Sequence, residues 1–158
     1  MRRHRWLAIA MAVVLLAVVG IVGFWPLSTG GGTGNSAADE PYYATTAELE
    51  NSAEAIVRGT IASTRERADE TIATVHVTAV AKGSAGPTID VIYATAGPEI
   101  PEGLHRGGEF VLLLQVRDET AWNLVNTTQG YYPFVDGRAI PAADNSVTLS
   151  EAVLRSVS

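Results

Sequence analysis

The chain contains no cysteine. Disulfides therefore contribute nothing to its stability, which must come from hydrophobic packing. A lipoprotein attachment site is excluded for the same reason. Histidine is also scarce: outside the first five residues only His76 and His105 occur. No H-E-x-x-H, G-x-S-x-G or Asp-rich calcium loop is present, so metal and nucleophile chemistry have no motif to rest on. Positive charge is the third deficit. Lys and Arg total 11 against 17 Asp and Glu, and Arg2, Arg3 and Arg5 supply three of the 11. The rest of the chain sets eight basic side chains against all 17 acidic ones, a net of −9. Such a surface repels phosphate backbones and anionic lipid heads. No basic stripe with interleaved aromatics offsets this, and nucleic acid is not an expected partner.

What the chain does have is one long apolar run. Trp6 to Trp25 spans 20 residues without a charged or strongly polar side chain. At ~1.5 Å rise per residue, a helix of that length covers about 30 Å, the thickness of a bilayer's hydrocarbon core. Indole rings at both ends suit the headgroup boundary, and the three preceding arginines place the N-terminus in the cytoplasm. Pro26 ends the helix. A cleaved secretory signal is the competing reading, but signal cores are shorter. The best small-residue cleavage candidate, Ser36-Ala37-Ala38, also lies more than ten residues beyond the run. The sequence thus predicts a basic tail (1–5), a transmembrane signal-anchor (6–27), a Gly/Ser-rich tether (28–41) and one extracytoplasmic domain (42–158). If flexible, the tether has a root-mean-square reach of about 20 Å.

The domain's pattern is mostly of period two. Thr45-Thr46-Ala47-Glu48 fits a capping box and predicts a short helix to about Ala53, with Leu49 and Ala53 on one face. Ala55, Val57, Gly59 and Ile61 then alternate with Arg58 and Thr60, which predicts a half-buried strand. Gly59 inside it predicts a bulge or a sharp coil where the strand bends. The polar stretch Ser63–Glu70 reads as a turn. A second strand follows over Thr71–Ala81, with Ala73, Val75, Val77 and Ala79 on one side. Lys82-Gly83 ends it, Gly taking an unusual backbone angle and Lys facing water. Ile89, Val91 and Tyr93 mark a third strand, and a Gly/Pro-rich loop over 96–108 precedes the next. Phe110–Leu114 is continuously apolar, as expected of a strand buried on both faces. Trp122, Leu124 and Val125 mark a fifth strand. Asp136-Gly137 between apolar pairs is a two-residue hairpin signal. Thr148-Leu149-Ser150-Glu151 repeats the capping pattern ahead of a short final helix. Five or six strands with turns at short spacing predict a small closed or nearly closed β-barrel.

The order of IVRGTI, VHVTAVAKG, GGEFVLLLQ and WNLVNTTQGYYPFVDG resembles that of a widespread group of uncharacterised bacterial envelope proteins. Their extracytoplasmic domains are similar to OB-fold, netrin-like or tissue-inhibitor-of-metalloproteinase-like barrels. The resemblance covers about residues 44–140 and implies an OB-like Greek-key barrel with short flanking helices behind one transmembrane helix. It brings no activity with it. Inhibition by the animal proteins depends on an N-terminal cysteine placed over zinc, which this chain lacks.

The candidate chemistry is correspondingly thin. His76, on the polar side of its strand, and His105, in a loop, read as surface residues. Arg106-Gly107-Gly108-Glu109 reads as a turn into a buried strand. Asn126-Thr127-Thr128 matches the N-glycosylation pattern, which a bacterial chain leaves unused. Trp122, Tyr131, Tyr132 and Phe134 are the remaining resource, with Trp122 and Phe134 expected in the core. Tyr131 and Tyr132, near a barrel opening, suit stacking on a sugar or covering a partner's apolar side chain. No catalytic residue, metal or cofactor is expected. The expected role is a tethered protein-interaction module that contacts another envelope protein. The alternative is a binding module for cell-wall saccharide or peptide.

Overall fold

A computed structural model describes residues 40–97 and 100–158. The expected transmembrane helix and nearly all of the expected tether lie outside the described residues. Among the described residues no helix is long and apolar enough to cross a membrane.

The elements are α1 (Thr46–Ser52), β1 (Ala55–Arg67), β2 (Glu70–Lys82), β3 (Thr88–Ala94), β4 (Glu109–Val116), β5 (Ala121–Leu124), β6 (Tyr131–Val135), β7 (Arg138–Ala139) and α2 (Glu151–Val157). β1, β2, β3, β5 and β4 pair in that order, and β4 pairs back onto β1. The result is the expected β-barrel, closed by five strands, with β6 and β7 as additions along β4. Among the described residues only the β3–β5 seam is parallel. The edge of β4 away from β1 is shared: Leu114–Val116 pair with β5, and Phe110–Leu112 pair with β6.

Alternation along β4 divides the hydrophobic residues between two cores. Phe110, Leu112 and Leu114 point into the barrel with Val57, Ile61, Val75 and Val91. Val111 and Leu113 point out, beneath a layer formed with Leu49, Tyr132, Leu149, Val153 and Val157. β1 does the same over a shorter stretch, with Ala55 and Val57 inside and Ile56 outside. The barrel interior alone therefore does not account for the core. Both helices exist to cover its outer wall.

The local signals act as their chemistry dictates. Thr45 Oγ1 accepts from the Glu48 amide at 3.2 Å and the Glu48 carboxylate accepts from the Thr45 amide at 3.1 Å, completing the capping box. Leu49 and Ala53 are buried. The β1–β2 register shifts between Arg58 and Gly59, where a Cβ on Gly59 would stand 2.6 Å from the His76 carbonyl. Asp136 and Gly137 take φ of 51° and 76°, the conformation a two-residue hairpin with matching strand twist requires.

Three expectations need correction. Ser63–Arg67 is strand, not turn: its residues pair with β2 from Ser63↔Thr74 to Arg67↔Glu70. Only Ala68 and Asp69 separate the strands. The extension is held by ladder hydrogen bonds rather than by burial, and a register shift after Ile61 breaks the apolar alternation that would have marked it. Lys82 does not face water; its Nζ donates to the carbonyls of Glu50 at 2.7 Å and Asn51 at 3.4 Å, at the negative end of α1. Finally, Ser150 rather than Thr148 caps α2, accepting from the Val153 amide. The Thr148 carbonyl is taken by the Thr46 hydroxyl at 2.7 Å, and Leu149 is committed to the outer core.

Two substitutions at left-handed positions are expected to act with opposite sign. Gly83 has φ of 71°, and a Cβ there would lie 2.1 Å from the Glu54 carbonyl. Gly83→Ala should lose about 2 kcal/mol or more in urea unfolding, through the αL penalty and displacement of the α1–β1 link. Ala68 holds φ of 56° at the hairpin tip with a Cβ present. Ala68→Gly should gain about 0.5 kcal/mol, the relieved strain less the extra unfolded-chain entropy.

Candidate functional site

Where β2, β3, β5 and β4 adjoin, their outward residues shape a groove of about 770 Å³. Alternation sends Ile89 and Val91 into the barrel and leaves Ile92 and Ala94 facing out on β3. Asn123 on β5, Val125 just beyond it and Gln115 on β4 continue the floor. Tyr93 packs against the interior cluster and also lines the groove. Burial raises its hydroxyl pKa above the ordinary tyrosine value.

The rim is charged. Glu40, Asp69, Glu70 and Arg117 all border the groove. Arg117 Nη2 donates to Glu70 Oε1 at 2.6 Å, with both side chains about one-third exposed. The Asp69 carbonyl accepts from the Thr95 amide at 2.8 Å, but its carboxylate has no hydrogen-bond or ion-pair partner among the described residues. Arg117 is positioned by the β4–β5 turn. Asp118 Oδ1 accepts from the Thr120 amide at 2.9 Å, the Ala121 amide at 3.0 Å and the Thr120 hydroxyl at 3.2 Å. The Thr120 amide is the largest influence holding the Asp118 carboxyl below the usual aspartate value.

Glu40 brings the start of the described chain to this rim. Its Oε2 accepts from the Thr127 amide at 3.0 Å and the Thr127 hydroxyl at 2.8 Å. The next residues are held by two buried amides. Asn126 Nδ2 donates to the Pro41 carbonyl at 2.9 Å. Gln129 accepts from the Tyr43 amide at 2.8 Å and donates to the Tyr43 carbonyl at 2.9 Å, pairing with that residue as a neighbouring strand would. Glu40 and Pro41, which the expected boundary assigns to the tether, are thus in contact with the domain. That contact also gives the Asn126-Thr127-Thr128 motif a structural role, because Asn126 is buried and its amide nitrogen is already donating.

Tyr131 and Tyr132 are adjacent on β6 and therefore face opposite ways. Tyr131 lies in the barrel core, edge-on to Phe110 at 6.3 Å, and its hydroxyl accepts from the Gly103 amide at 3.1 Å. Tyr132 is fully buried in the outer core, where its hydroxyl donates to the Val147 carbonyl at 2.8 Å. They do not form one stacking surface. Tyr131 does edge a second groove, of about 450 Å³, with Glu102, Thr128, Pro133 and Asp144. Phe134 carries the Arg58 guanidinium 4.8 Å above its ring, and Trp122 packs half-buried against the barrel core. His76 is exposed beside the Thr88 hydroxyl at 3.2 Å, and His105 is exposed with Nδ1 2.9 Å from the Gly103 carbonyl. Among the described residues no group of three or more His, Asp or Glu is placed to hold a metal.

Sequence reasoning missed the charged groove. Asp69 and Glu70 look like ordinary turn residues, and Arg117 looks like a solvated strand end. Nothing local marks them as neighbours across a sheet.

Gln129→Ala should leave the Tyr43 amide and carbonyl unpaired. It is expected to cost about 2 kcal/mol and to speed hydrogen exchange at Tyr43 well above that at Leu112. The depressed Asp118 pKa stabilises the β4–β5 turn above the unfolded value, and that stabilisation is lost as pH falls through the folded value. The Thr120 amide shift, followed by NMR, should therefore titrate at a pH below that of ordinary aspartates, and Asp118→Asn should abolish the transition.

No protein-family model matches this chain, and no curated protein is significantly similar to it.

Proposed function

We propose that this chain is a membrane-anchored, extracytoplasmic protein-interaction module of the bacterial envelope, without catalysis, and that the groove across β2, β3, β5 and β4 is its binding surface. The observation that carries this reading is the groove's composition: apolar Ile92 and Ala94 share a floor with Asn123 and Gln115 inside a charged rim. Apolar surface supplies affinity and the placed polar groups supply orientation. The strand order β1-β2-β3-β5-β4-β1 with a parallel β3–β5 seam supports reading the barrel as OB-like and Greek-key. Barrels of that kind use a strand face and its flanking loops for binding. The apolar run from Trp6 to Trp25 behind three arginines supports single-pass anchoring with the N-terminus in the cytoplasm. Glu40, on the groove's rim, is where the chain leads back toward that run.

A second reading has its own observation. Tyr131 stands with Thr128, Glu102 and Asp144 around the smaller groove, a mixture of aromatic and polar groups suited to a cell-wall saccharide or peptide.

The two are separated with photo-crosslinking residues placed singly in the full-length protein in intact cells. One goes at Asn123 in the large groove, one at Thr128 in the small one and one at Ala152 on exposed α2. An adduct with one envelope protein from Asn123, absent from Ala152, is the expected result. Adducts with glycan from Thr128 alone would transfer the function to the smaller groove. Alkaline extraction of the same cells should leave the protein in the membrane; release into the soluble fraction would remove the anchor from the proposal.

A further inference from the structure

The chemistry of the partner can be taken one step further, and this step rests on the groove being the binding surface. We infer that the groove takes an extended, arginine-bearing segment of a partner protein, and that Arg117 occupies part of the guanidinium position in the free protein. The rim sets three carboxylates against a single guanidinium, so it attracts positive charge. Those carboxylates are not gathered as a metal site would need, since no three acidic or histidine side chains among the described residues are placed to hold an ion. The floor suits the same ligand, because half-buried Ile92 and Tyr93 offer apolar surface to methylene stems whose charged heads reach the rim.

Arg117 supplies the internal precedent. Its guanidinium, carried just past the end of β4, donates to the Glu70 carboxylate at the start of β2 at 2.6 Å. Planar guanidinium matches carboxylate geometry better than ammonium does, so the site has already selected this cation from its own chain. Both partners are about one-third exposed, and ion pairs of that kind are weak and exchangeable. An incoming arginine can displace Arg117 from Glu70. Asp69, whose carboxylate has no partner among the described residues, is open to a second one. Tyr93 in the same wall adds an aromatic surface that favours cations.

The test is binding of the fluorescein-labelled peptide Gly-Arg-Gly-Arg-Gly-Arg-Gly to the full-length chain in uncharged detergent micelles, read by anisotropy. A Gly-Glu peptide of the same length serves as the negative probe. Asp69→Asn and Glu70→Gln should each weaken arginine-peptide binding by about fivefold, the scale of one half-exposed charge pair. Arg117→Ala should tighten it by about threefold or more, because the internal competitor is gone. Arg138→Ala makes the same change in net charge on β7, outside the groove, and should leave binding unchanged. Equal tightening by Arg138→Ala and Arg117→Ala would overturn the inference in favour of bulk charge. Undiminished binding in both acidic variants would overturn it as well. If the inference fails while the Asn123 crosslink persists, the groove remains the interface and only the ligand chemistry is wrong. Loss of the Asn123 crosslink would remove the groove itself.

Discussion

Five consecutive apolar residues, Phe110–Leu114, hold the molecule together. All five are at most 1% exposed, with three side chains in the barrel and two under the outer layer. At roughly 2 kcal/mol per buried side chain, this one strand supplies on the order of 10 kcal/mol of gross hydrophobic stabilisation. It is also the hydrogen-bonding centre, since β1 takes one edge and β5 and β6 divide the other. Without β4 the barrel does not close, the outer core has no floor and β6 loses its tie to the barrel. A chain without disulfides needs such a concentrated element.

The helices are fastened to that wall by polar contacts at their ends. Lys82 reaches the last carbonyls of α1, and Gln115 donates to the Ser52 carbonyl at 3.2 Å. The Glu50 carboxylate accepts from the Ser150 amide at 2.7 Å and from its hydroxyl at 3.0 Å, joining the end of α1 to the start of α2. At the other end of α2, Arg58 donates to the Val157 carbonyl while pairing with Glu109 at 3.2 Å and covering Phe134. One arginine thereby links β1, β4, β6 and the terminal helix. Both helices have seven residues, too few for stability in water on their own. Burial of Leu49, Val153 and Val157 and these end contacts keep them in place.

The groove lies on the part of the barrel that this packing leaves uncovered. α1, α2 and the Val147 and Leu149 side chains cover the outer face around β1, β4 and β6, whereas no described helix lies over the outer face of β3 and β5. The parallel seam there brings β5 beside β3 although 26 residues separate the end of β3 at Ala94 from the start of β5 at Ala121. This long connection lets side chains from a hairpin tip (Asp69), a strand start (Glu70), a strand end (Arg117) and the first described residue (Glu40) share one rim. The groove is therefore a property of the exposed sheet face, not of any element's own sequence.

Local rules were legible wherever the determining atoms are close in sequence. The Thr45–Glu48 cap, the Asp136-Gly137 turn, the bulge at Gly59 and the two-sided burial of Phe110–Leu114 each depend on a few residues and their neighbours. The extension of β1 to Arg67 was not legible, because a bulge broke the alternation and ladder bonds rather than burial sustain the strand. Nor was the division of Tyr131 and Tyr132 between two cores, which required knowing that β6 pairs with β4 and is packed on both faces. The sequence by itself determined a β-rich, disulfide-free, acidic domain behind an apolar run, since composition and periodicity are local and additive. Only the tertiary structure decided which carboxylates meet around one groove and that Arg117 lies among them, because those neighbours are set by strand pairing across the barrel.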